Sequence, residues 1–65
     1  MKRMTYNNLM KAIKMIQAKG YTWNESESMA RHAFDTCKAN GYSMPVEWHI
    51  DKIMTKADYD KAYGM

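Results

Sequence analysis

The sequence predicts an all-α protein, a compact three-helix bundle with a short fourth C-terminal helix or turn. Three observations lead there. Apolar residues recur at helical spacing in successive stretches, a cap residue stands before each stretch, and no run alternates apolar with polar as a half-buried strand would. Sixty-five residues make one domain, because shorter pieces would each lack a core. Marginal stability is expected: Cys37 has no partner for an internal disulfide, and no metal cluster is available as a staple.

Thr5 is a good N-cap for the first helix, over about residues 5–19. Its apolar positions Tyr6, Leu9, Met10, Ala12, Ile13 and Ile16 fall within an arc of roughly 160° at 100° per residue. Gly20 stands where a left-handed residue ends a helix, with Tyr21 placed to fold back. Thr22 and Glu25 then have capping-box spacing. Behind them Trp23, Ala30, Ala33, Phe34 and Cys37 share one face, with Met29 at its edge. Glu27, Arg31, Asp35 and Lys38 lie opposite as ion pairs. This second helix ends at Asn40-Gly41, where Tyr42 repeats the fold-back.

Ser43 is expected to cap the third helix, with Pro45 in a first turn where its missing N–H costs nothing. That helix runs over about residues 44–54, with Val46, Ile50, Ile53 and Met54 on one face. Thr55 and Asp58 repeat the capping spacing for a short element over about 56–63 that carries Tyr59 and Tyr63 at i,i+4. The similarity of "AKGYTW" to "ANGYSM" follows from two helices stopped and restarted in the same way.

Catalysis needs groups that converge, and few are present. His32 and Cys37 share a helix but point about 140° apart. Cys37 falls in the middle of an apolar face, which makes it a buried thiol. His49 lies beside the core stripe of the third helix. Two His and one Cys fall short of a zinc set, and "DYDKAYG" lacks the fifth ligand and closing Glu of a calcium loop. The three glycines are too scattered to cradle phosphate. No enzyme, cofactor or metal is expected.

Charge is unevenly spread. Residues 1–24 hold Lys2, Arg3, Lys11, Lys14 and Lys19 and no acid, whereas residues 25–65 hold five basic and seven acidic side chains. "MKRM" is followed by no apolar run, so a signal peptide or membrane span is not expected and a cytoplasmic location is. The abundance of Met, Lys, Asn and Tyr fits an AT-rich coding source, as in a phage or mobile element.

Two surfaces are candidates for binding. The outward face of the first helix, with Asn7, Asn8, Lys11, Lys14 and Lys19, is free of acids. Lys2 and Arg3 extend it as a flexible arm over about residues 1–4, and such a face suits nucleic acid. No helix-turn-helix spacing accompanies it. On the third helix Trp48 projects roughly 120–160° from the core stripe, with Met44 and Asp51 on its side. An exposed Trp anchors interfaces; the alternative is that Tyr59 and Tyr63 fold over it.

"KGYTWNESESMARHAF" followed by "PVEWHI" resembles the ubiquitin-associated three-helix domain, in which a Gly-aromatic loop ends the first helix and an EWL-like end closes the third. Gly20-Tyr21 would be that loop. The sequence departs from the pattern in having no Met before Gly20, alanines that come late in the second helix, and a longer second helix. Ubiquitin binding is therefore not carried across. The expectation is a small non-enzymatic helical binding or regulatory module acting on a protein partner, such as an accessory or inhibitor protein. Nucleic-acid binding is the alternative, and a homodimer a third possibility.

Overall fold

A computed structural model describes residues 1–64 and is all-helical, with four helices and no strand among those residues. They are α1 (Tyr6–Gln17), α2 (Trp23–Ala39), α3 (Val46–Asp51) and α4 (Lys56–Tyr63). The first three pack on one another, while α4 packs against none of them. Among the described residues no helix is long and apolar enough to cross a membrane.

Three of the four expected N-caps form, at Thr5, Thr22 and Thr55. Thr5 Oγ1 accepts from Asn8 N–H at 3.1 Å and Thr55 Oγ1 from Asp58 N–H at 3.1 Å. At Thr22 the capping box is complete, since Glu25 N–H donates to Thr22 Oγ1 and Thr22 N–H donates to Glu25 Oε1. The two Gly-Tyr corners differ in geometry, however. After α2, Gly41 N–H bonds Lys38 O and Tyr42 N–H bonds Cys37 O, a Schellman pair, with Gly41 and Tyr42 both at positive φ. After α1 the chain tightens into i→i−3 bonds at Lys19 and Gly20, and Gly20 takes φ 103°.

The core is small. Ala12, Ile13 and Ile16 of α1 meet Ala30, Ala33, Phe34 and Cys37 of α2 and Val46 and Ile50 of α3, with Tyr21 closing one end. Ser26 is fully buried among them. Three expected core residues are outside it: Tyr6 is 77% exposed, Trp23 44% and Met54 44%, the last lying past the end of α3. Tyr6 and Trp23 stand at the first position of their helix, where a side chain on the correct face projects beyond the end of its neighbours.

The third helix differs most from expectation. It spans only Val46–Asp51, because Lys52 and Ile53 bond back to His49 and Ile50 in tight i→i−3 fashion. Pro45 occupies the cap position in place of Ser43, and no side chain caps the helix. The free N–H of Val46 instead donates to Met1 O at 2.7 Å. The amino-terminal ammonium donates to both carboxylate oxygens of Glu47, at 2.7 and 2.9 Å. The arm of residues 1–4, expected to be flexible, is therefore anchored on α3 at Met1.

α4 buries no residue. It is held at its start, where Lys56 N–H donates to Lys19 O at 2.7 Å. The radius of gyration, 11.8 Å, exceeds the ~10.7 Å of a fully compact chain this long, as an unpacked terminal helix would cause.

Different helices should answer differently to substitution. Ile16→Ala should cost ~2–5 kcal/mol, comparable with the ~3–5 kcal/mol a core this size supplies, and leave much of the protein unfolded in urea titrations. Thr22→Ala should lower the urea midpoint by the equivalent of ~1 kcal/mol. Thr55→Ala should leave that midpoint unchanged and appear only as faster amide exchange within α4.

Candidate functional site

α2 and the segment from α3 to α4 diverge on one side of the bundle and leave an open groove of about 530 Å³. Its walls are mainly apolar: Met29 on α2 faces Ile53, Met54 and Tyr59, with Tyr21 at one end. His32 and His49 supply polar groups. The Nε2 atom of His49 is buried and has no hydrogen-bond partner among the described residues. Met54 and Tyr59 are each 44% exposed, so the groove offers apolar surface to solvent.

The α3–α4 side of the groove stays in place through Tyr21. That ring is buried, and its hydroxyl donates to Met54 O at 2.7 Å. The Lys56 ammonium lies 6.0 Å from the Tyr21 ring centre and 5.4 Å from that of Tyr59, bridging the corner to α4. Asp60, bonded to Lys56 at 3.2 Å, raises the Lys56 pKa. Glu25 is held below the usual glutamate range, first by the Thr22 backbone N–H and then by the Thr22 side chain, with the Lys56 charge adding to the effect.

Trp48 stands beside this groove, not in it. It is 42% exposed, meets His49 edge-on at 5.2 Å, and carries the Lys52 ammonium 4.5 Å above its ring. Tyr59 and Tyr63 pair with each other at 5.1 Å, and no aromatic contact joins either to Trp48. Asp51 is exposed within about 60° of Trp48 around α3. Met44 precedes the helix at 38% exposure, and its carbonyl accepts from Cys37 Sγ at 3.2 Å.

The predicted basic surface is divided. Asn7, Lys11 and Lys14 are exposed within about 60° of one another on α1. Lys19 lies beyond the end of that helix and is half-buried. Lys2 and Arg3 instead line a cleft of about 380 Å³ against α2, together with Lys38, Asp35 and Tyr42. Arg3 stacks on the Tyr42 ring at 4.9 Å. Glu47 is held below its ordinary value, first by its hydrogen bond from the amino-terminal ammonium, and the Lys11 charge acts in the same direction.

Among the described residues, no group of three or more His, Cys, Asp or Glu is placed to hold a metal ion. Cys37 is buried and His32 lies in the groove, so the structure does not bring them together as a reactive pair. The groove was not foreseen from the sequence. The only local sign of it is Met29 beside His32 on one edge of α2, and the opposite wall comes from residues over twenty positions away.

Compared with protein-family models, with curated proteins and with solved structures, the chain has no match. Its own geometry defines a small all-α protein with an open apolar groove and a separate basic cleft.

Glu25 makes stability depend on pH. Its pKa in the folded protein lies below the ordinary 4.5, so its contribution is present above that value and is lost as pH falls through the lowered one. Glu25→Gln should flatten the acid limb of a plot of melting temperature against pH, while leaving the curve above pH ~6 nearly parallel to the wild-type one.

Proposed function

We propose that this protein is a non-enzymatic binding module that acts by protein–protein contact, taking apolar side chains of a partner into the groove between α2 and the α3–α4 segment. The observation that carries this reading is the groove itself, an open, mainly apolar concavity beside a small core. A protein this small gains from covering such a surface, because monomers rarely leave large apolar patches in water. Met29 and Met54 suit the role, since unbranched thioether chains adapt to the shape of what they meet. Trp48 at the rim, with Met44 and Asp51 around it, would extend the contact as an aromatic anchor ringed by polar groups. A regulatory or inhibitory role by occupying a partner's surface fits this mode of action.

A photo-crosslinking residue at Met54 tests this in cells that express the protein. The expected result is a discrete protein adduct that Met29→Lys abolishes without lowering the melting temperature by more than a few degrees. Once the partner is purified, Trp48→Ala should weaken its binding by about thirtyfold, the effect of losing ~2 kcal/mol at an interface anchor. An adduct formed equally well from a crosslinker at Lys14, or unaffected by Met29→Lys, would contradict the proposal.

A further inference from the structure

The second concavity lies on the other side of α2 and has a different character. Lys2 and Arg3 meet Lys38 and Tyr42 around a cleft of about 380 Å³ whose lining includes one acid, Asp35. Three cations against one carboxylate leave it clearly positive. Among the described residues none of the three cations forms an ion pair, and Asp35 forms none either. Lys2, Arg3 and Lys38 are all exposed. Among the described residues no carboxylate therefore neutralises these three charges by an ion pair.

The cleft also has a flat surface. The Arg3 guanidinium lies over the Tyr42 ring at 4.9 Å, and Tyr42 is held by the left-handed turn after α2, at φ 58°. Because Met1 is anchored on α3 and the Arg3 carbonyl accepts from Asn8 Nδ2 at 2.9 Å, the arm carrying Arg3 is tied on both sides. A guanidinium stacked on an aromatic ring is a platform on which a nucleobase stacks, and lysines around it are phosphate contacts. The α1 stripe, by contrast, offers Lys11 and Lys14 without a ring.

We propose that this cleft binds single-stranded nucleic acid, with Lys2, Arg3 and Lys38 on successive phosphates and a base stacked on the Arg3–Tyr42 pair. Within a duplex both faces of a base are already covered by its neighbours, whereas a single strand can splay a base onto the platform, so the site selects single strands over duplex. It lies apart from the apolar groove, so the two sites are independent, and one can fail while the other stands.

Fluorescence anisotropy of a labelled oligothymidylate, and of a duplex of equal length, over a salt series tests the proposal. The single strand should bind more tightly than the duplex, with log K falling against log salt at a slope of about −2, the value for three phosphate contacts. Lys38→Gln should reduce that slope by about 0.7, whereas Lys11→Gln with Lys14→Gln should leave it unchanged. Tyr42→Asn keeps a residue that tolerates the left-handed turn, and it should weaken binding at least fivefold at constant slope. Melting temperatures and vesicles of phosphatidylserine serve as controls. Several results would overturn the proposal: no binding at low salt, tighter binding to duplex, or a slope that follows Lys11 and Lys14. Binding to the vesicles without binding to the oligonucleotide would overturn it too.

Discussion

Thirty-three positions apart in the chain, the Tyr21 hydroxyl and the Met54 carbonyl are joined by a hydrogen bond of 2.7 Å. Tyr21 follows Gly20, whose φ of 103° turns the chain between α1 and α2. A side chain at Gly20 would be strained by that φ and would also come within 3.0 Å of Lys56 Cβ. The Lys19 carbonyl receives the first N–H of α4 at the same corner. One tight turn thus sets the end of α1, the start of α2 and the path of the chain after α3.

That corner determines the shape of the groove. α3 is too short to fill the side of α2 that carries Met29 and His32, and the chain leaving it is held away at Met54 by Tyr21. α4 continues outward with no buried residue and no packing on the other helices. Eight residues are too few for a helix to persist in water on propensity alone. The rigid part of the molecule is therefore the three-helix core, and α4 adds Tyr59 to the groove from a loosely held position.

Much of this architecture could be read from local signals. Thr5, Thr22 with Glu25, and Thr55 with Asp58 mark helix starts because capping involves residues only three apart. Trp48 projects from α3 as the 100° rotation requires. What escaped local reading depends on distant partners. Ser43 lost its capping role because the first N–H of α3 is taken by the Met1 carbonyl. Tyr6 and Trp23 lie on the apolar side of their helices by angle, yet their end positions leave them uncovered. Of the candidate sites, the α1 stripe and Trp48 were legible as faces of single helices. The groove and the Arg3–Tyr42 cleft were not, since each is assembled from segments that meet only in the folded chain.

The two concavities divide the molecule into an apolar side and a basic side across α2, and the apolar one carries the main functional conclusion. Its most direct test is a methionine-methyl NMR titration of the intact protein with N-acetyltryptophanamide as an apolar probe. The account predicts saturable shifts at the methyl groups of Met29 and Met54, with Met4, on the other side of α2, unmoved. Shifts spread evenly over the methionines, or none at Met29 and Met54, would contradict the view that this groove is open in solution and built to take an apolar side chain.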